Sequence, residues 1–200
     1  QLSLNGLKSL NMKTAKELAQ FHGHVYLNGL KSIDTQTAYK LSKLKGYALS
    51  LDGLTSINVN TAKALSQFKG DWLHLNGLTR LDSTSAQALA QFKGTNIYLR
   101  GLKSLDSNSA KALTNFKGDW VMLELGIPQL DFNTANVLAK WKGTVLSLDG
   151  LTSLNPSTAT ALAHFEGYAL SLNGLNHLDV NTARKMSQSK AVHLHLNGLK

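Results

Sequence analysis

Two pairs of histidines, His22-x-His24 and His193-x-His195, have a spacing at which imidazoles can chelate a metal, but neither pair has a carboxylate or third histidine beside it. No metal and no cofactor is therefore expected. Cysteine is absent, which removes disulfide scaffolds, thiolate zinc sites, iron–sulfur clusters and cysteine nucleophiles. Serine is abundant, yet Ser9, Ser32, Ser56, Ser104 and Ser153 recur at one place in a periodic pattern and read as corner structure, not as nucleophiles. Five of the twelve acidic residues, Asp34, Asp82, Asp106, Asp131 and Asp179, stand where helix caps are expected. No glycine-rich phosphate loop and no convergent acid–base pair is seen, so a non-enzymatic chain is expected.

Two groups of residues remain that bear on recognition. The net charge is +9, and Lys45, Lys69, Lys93, Lys117, Lys142 and Lys190 occupy one recurring position that stacking would align as a basic ladder. One reading is a track for nucleic acid or an acidic polysaccharide. The reading preferred is structural: each lysine ends a helix, where a cation offsets the carbonyl end of the dipole. A nucleic-acid track would also interleave aromatics or arginine, and only two arginines lie outside the last repeat. The second group is Trp72, His74, Asn96, Tyr98, Arg100, Trp120, Met122 and Glu124, which stand on or beside the outward positions of three successive strands. Aromatics, arginine and methionine are the types enriched at interface hot spots.

What must position these residues is a repeat. The string Leu-x-Leu-Asn/Asp-Gly-Leu recurs with glycine at 6, 29, 53, 77, 101, 126, 150, 174 and 198, at intervals of 23 to 25 residues. A second glycine series stands 17 residues after each of the first seven, and the two series account for all 16 glycines. Glycine serves positions needing positive φ or close approach, so two turns per unit are expected. In the unit 53–77, Leu73 and Leu75 alternate with Trp72, His74 and Asn76, the pattern of a short strand with one buried face. An Asn or Asp follows five residues after each first glycine: Asn11, Asp34, Asn58, Asp82, Asp106, Asp131, Asn155 and Asp179. This predicts a helix N-cap, with Pro156 at the first helical position of one unit. Ala62, Leu65 and Phe68 are expected on one face of the helix, and Gly70 as its C-terminal stop. A β-hairpin at the Asn-Gly pairs is rejected, because a capped helical segment follows each one. One strand and one helix per unit cannot bury their apolar faces alone; stacked identical units can, which gives a parallel-strand solenoid.

The segment Leu49-Ser50-Leu51-Asp52-Gly53-Leu54-Thr55-Ser56-Ile57 and its counterparts resemble a leucine-rich repeat protein over essentially the whole chain. The resemblance is to bacterial repeats of 23 to 24 residues reading Leu-Thr-Ser-Leu/Ile ahead of a short helix, including the treponemal type. It implies an α/β leucine-rich-repeat solenoid, about eight repeats over residues 1–200, with a concave parallel sheet and short helices on the convex side. Many members form a buried asparagine ladder beyond the strand; here Leu30, Leu54, Leu78, Leu102, Ile127, Leu151 and Leu175 take that corner. An Asn/Asp column lies one or two residues earlier, and the sequence leaves open whether it forms a ladder or faces solvent. Small residues at two helix positions, alanine in all eight units at one of them, predict close helix packing and gentle curvature.

The resemblance implies interaction: recognition of a protein or carbohydrate on the concave patch. Alternatives are an anionic-polymer binder using the lysines, with nucleic acid the less favoured partner, or a passive spacer of a surface protein. The unit that ends at Gly126 has one extra residue, and a bulge at Glu124-Leu125-Gly126-Ile127-Pro128 is expected. The chain starts at Leu2-Ser3-Leu4 inside a strand and its last unit drifts (Met186, Ser189, Ala191), so a segment of a longer protein and end-to-end self-association are expectations. The absence of a long apolar run argues against membrane insertion. Zero cysteine suits exported bacterial proteins as well as cytosolic ones; an exported or cell-surface bacterial protein is the expectation, with a cytoplasmic one the alternative.

Overall fold

The computed structural model describes residues 1–117 and 122–200. Among them lie nine strands, β1 (Leu2–Ser3), β2 (Val25–Tyr26), β3 (Ala48–Ser50), β4 (Trp72–His74), β5 (Asn96–Leu99), β6 (Met122–Leu125), β7 (Val145–Ser147), β8 (Ala169–Ser171) and β9 (His193–His195). Alternating with them are eight seven-residue helices, α1 (Met12–Leu18), α2 (Thr35–Leu41), α3 (Val59–Leu65), α4 (Ser83–Leu89), α5 (Ser107–Leu113), α6 (Phe132–Leu138), α7 (Pro156–Leu162) and α8 (Val180–Met186). The strands form a single sheet in chain order β1 to β9, every neighbouring pair parallel, and the sheet does not close. This is the repeating strand–helix architecture that the glycine period predicts.

Leu2, Leu4, Leu194 and Leu196 of the terminal units are only partly buried, whereas each inner unit buries its two inward strand residues: Leu73 and Leu75 are fully buried, as are Leu49 and Leu51. Each such side chain contributes roughly 1.5–3 kcal/mol of apolar burial. The helices supply the opposite wall through Ala62 and Leu65 and their counterparts. A column of rings forms the third side of the core. Phe68, Phe92, Phe116, Trp141 and Phe165 are all 0–1% exposed. They stack at centroid separations of 6.2 to 6.4 Å and interplanar angles of 5 to 16°. Trp141 Nε1 donates to the Phe116 carbonyl at 2.8 Å, which satisfies the one polar atom of the larger ring.

All eight predicted N-caps are formed; in α3, for example, Asn58 accepts from the Thr61 amide at 2.9 Å. Where the cap is aspartate, a buried hydroxyl three residues on returns a bond to its second oxygen, as from Thr37 to Asp34 at 2.7 Å and Thr134 to Asp131 at 2.6 Å. The helix ends differ from expectation. Helix α3 stops at Leu65 with Ser66 as a right-handed C-cap, and a tighter turn follows, in which the Phe68 amide donates to the Leu65 carbonyl at 3.0 Å. Phe68 therefore lies beyond the helix, and Gly70 is not its stop.

No described glycine has positive φ, so the glycines that face a preceding unit serve close approach; Gly6, in the first unit, has no such neighbour. A Cβ on Gly53 would run into the Asn28 and Leu30 carbonyls of the preceding unit, and one on Gly70 into those of Gly46 and Tyr47.

Candidate binding surface

Side chains that alternate with the buried leucines stand on the outer face of the sheet in three columns. The column after the second leucine is the Asn/Asp column, and it forms a ladder. The Asn5 side-chain oxygen accepts from the Asn28 amide (3.0 Å), Asn28 from Asp52 (2.9 Å), Asp52 from Asn76 (2.8 Å) and Asn76 from Arg100 (3.1 Å). It resumes from Asp149 to Asn173 (2.8 Å) and from Asn173 to Asn197 (2.9 Å). Serines in the middle column brace it: Ser50 Oγ donates to Asn28 at 2.7 Å, and Ser171 Oγ to Asp149 at 2.6 Å. Burial pushes the Asp149 carboxyl up, but the Ser171 hydroxyl and the Asn173 amide outweigh it and hold the group below its usual range.

Between Arg100 and Asp149 the ladder residues are replaced. Arg100 occupies the column where asparagine stood, and the Gly126 amide bonds the Leu99 carbonyl at 3.4 Å. In the next unit Gly126, which has no side chain, stands against Arg100 in this column, and the Arg100 guanidinium donates through Nε to a carboxylate oxygen of Glu124 in the middle column. Glu124 is 8% exposed, and breaking the pair would leave a nearly buried carboxylate without its partner. Donating this hydrogen bond to Glu124 raises the Arg100 pKa.

The register corrects one expectation. Glu124, not Met122, lies between Tyr98 and Ser147 in the middle column; Met122 pairs with Asn96 and Val145 in the first column. The extra length precedes β6: four residues separate Lys117 from Met122, where two separate Lys93 from Asn96. The expected bulge at Glu124–Pro128 is not formed within β6, where Met122–Leu125 pair residue for residue with Asn96–Leu99. Trp120 lies outside the described residues.

The remaining residues of the predicted patch form two ring clusters. His74 and Tyr98 are stacked face to face across β4 and β5, with centroids 4.1 Å apart at 4°. The Arg100 guanidinium carbon sits over the Tyr98 ring, 5.7 Å from its centroid. Burial lowers the His74 pKa, a direction that Arg100 reinforces and Asp52 and Glu124 oppose; burial and then Glu124 raise that of Tyr98. Trp72, 40% exposed, meets His24 edge-on at 5.5 Å. These two flank Ala48 on β3, and His24 also lies 6.3 Å from Tyr47. His24 and Tyr47 are additional members of the surface. A small residue between two ring-bearing strands was the signal for them. Asn96 accepts from the Thr95 hydroxyl at 2.6 Å beside this cluster.

The lysine column stands on the other side of the molecule's core. Lys45, Lys69, Lys93, Lys117, Lys142 and Lys190 are all exposed, each three residues past a C-cap. The cations in the last helical turns are others, such as Lys40, Lys63 and Lys111. Dipole compensation therefore does not explain the ladder. Among the described residues no three His, Asp or Glu side chains come together as a metal set, and no helix is long and apolar enough to cross a membrane.

No protein-family model and no curated protein matches this chain.

Proposed function

We propose that the chain is a leucine-rich-repeat interaction module that holds a protein partner on the sheet face over β4 to β6. Three features support the family assignment: the Leu-x-Leu-Asn/Asp-Gly-Leu repeat, the all-parallel sheet and the side-chain ladder beside it. The core rings repeat at 6.2 to 6.4 Å while strands stand about 4.8 Å apart, so the helical side is the wider one and the sheet curves inward.

The observation that carries the site is the coincidence at Arg100 and Glu124. There the repeat gives up its ladder, places a charge pair in its stead and sets it against the His74–Tyr98 stack. A ladder amide is a stabilising device; replacing it in only the central units marks a surface shaped for something other than stability. A protein is favoured over a glycan because His74 and Tyr98 spend their ring faces on each other and offer edges, a hydroxyl and an ion pair to the outside.

The test is a binding panel of proteins and glycans probed with wild-type chain and with Trp72→Ala, Tyr98→Ala and Arg100→Ala. A protein ligand lost at least tenfold by two of these variants, with unchanged circular dichroism, supports the reading. A ligand of either kind that is insensitive to all three places recognition elsewhere. A patch-sensitive sugar replaces the protein by a glycan.

A further inference from the structure

The helical side of the molecule carries the same groove twice, once with an anion built into it. The first groove, about 320 Å³, is bordered by Lys140, Lys142, His164, Glu166 and Lys190. In it Glu166 replaces the column lysine, and its two oxygens accept from Lys142 at 3.2 Å and Lys190 at 3.3 Å, one lysine from the unit before and one from the unit after. The second groove, about 570 Å³, is bordered by Lys43, Gln67, Lys69, Gln91 and Lys93. It has the same column positions and no carboxylate. Among the described residues, Lys45, Lys69 and Lys93 make no ion pair.

We infer that the rungs Lys45, Lys69 and Lys93, continued by Lys117, bind an extended acidic peptide, each carboxylate pairing with neighbouring lysines of the column, as Glu166 on its own rung pairs with Lys142 one unit before and Lys190 one unit after. Two measures favour a peptide. The rings that directly precede the lysines repeat at 6.2 Å. Alternate side chains of an extended strand project on one side at about 6.6 Å. An alternating acidic sequence thus matches the rungs closely over three or four units. The amides of Gln67 and Gln91 line the same groove, where they can pair with a peptide backbone. For a nucleic acid, Phe68, Phe92 and Phe116 are buried beneath the lysines and offer no stacking surface, and the exposed ring of Tyr39 already has Lys43 at 4.4 Å from its centroid. The site is independent of the sheet-face patch.

The experiment is fluorescence anisotropy with a labelled 12-residue peptide of alternating Glu and Ser. It is compared with a block peptide of the same composition, with polygalacturonate and with oligothymidylate at equal charge. The alternating peptide is expected to bind at least tenfold tighter than the block peptide and to weaken steeply with salt. The Lys69→Gln/Lys93→Gln variant is expected to lose at least tenfold. Glu166→Gln is expected to gain severalfold for a longer alternating peptide, by releasing Lys142 and Lys190. Trp72→Ala is expected to have no effect. Equal binding of the two peptides, tighter binding of polygalacturonate or oligothymidylate, or a Lys69→Gln/Lys93→Gln protein that is folded and binds normally, would each overturn the inference.

Discussion

Asn76 accepts a hydrogen bond from the amide of Arg100 at 3.1 Å, and Arg100 has no side-chain oxygen with which to pass the ladder on. Its guanidinium turns instead to Glu124 on the next strand. Restoring the repeat residues at both places, Arg100→Asn with Glu124→Ser, should leave stability unchanged or raise it by up to about 1 kcal/mol while abolishing patch-dependent binding. Asp52→Leu, within the intact ladder, should cost about 1–3 kcal/mol by leaving the Asn76 amide without its acceptor. Urea unfolding of the two variants measures the contrast. An Arg100→Asn/Glu124→Ser protein that is markedly less stable than wild type would mean that the charge pair is structural.

The ring column predicts a second contrast. Trp141 is 1% exposed and stacks between Phe116 and Phe165. Trp141→Ala should cost about 3–5 kcal/mol, the range for emptying a large buried site. Trp141→Phe, which restores the ring found in the neighbouring units, should cost only about 1–2 kcal/mol, chiefly through the Phe116 carbonyl left without a donor. Equal losses in denaturant unfolding would show that ring continuity contributes nothing.

The parts of this molecule that obey the period were legible in its residues. Leu73 and Leu75 face the core because alternation admits one buried face, and Asn58 caps a helix because a short polar side chain there meets an orphan amide. Contacts between units were not legible, because a single unit does not contain them. Gly53 and Gly70 avoid the carbonyls of the unit before, which no local rule for turns reveals. The Asn/Asp column left two readings open until Asn28 and Asp52 were seen one above the other. The lysine column was ascribed to helix ends because Gly70 was taken as the stop, whereas α3 finishes at Leu65. Met122 was assigned to the wrong column because counting back from Gly126 assumes that the turn is regular, and it is the turn that lost a residue.

Acid should unfold the chain through its caps. The hydroxyl and amide of the Thr84–Ser85 segment hold the Asp82 carboxyl down to about 2. Asp34, Asp131 and Asp179 are lowered by the same kind of bonds from Thr37, Thr134 and Thr182. A folded pKa below the unfolded value of about 3.9 gives stability that is present above pH 4 and lost as pH falls toward 2. Urea midpoints measured from pH 5 to pH 2.5 should therefore decline. The decline should be shallower when these four aspartates are replaced by asparagine, which caps without a titrating charge. An unchanged slope would assign acid sensitivity to other carboxylates.

His74 offers a spectroscopic handle on the sheet face itself. Burial lowers its pKa, and its face lies against Tyr98 at 4.1 Å. In a proton-detected NMR titration its imidazole should change below the ordinary value of about 6.5. Because the folded pKa is the lower one, the associated stability is complete above pH 6.5 and is lost as pH falls toward that folded value. Tyr98→Ala uncovers the ring and should move the His74 titration back up. Arg100→Ala should move it up as well, since the guanidinium opposes protonation. An imidazole that titrates normally in wild type and does not respond to Tyr98→Ala would mean that the stack is not held in solution, and with it would go the rigid edge that the proposed partner meets.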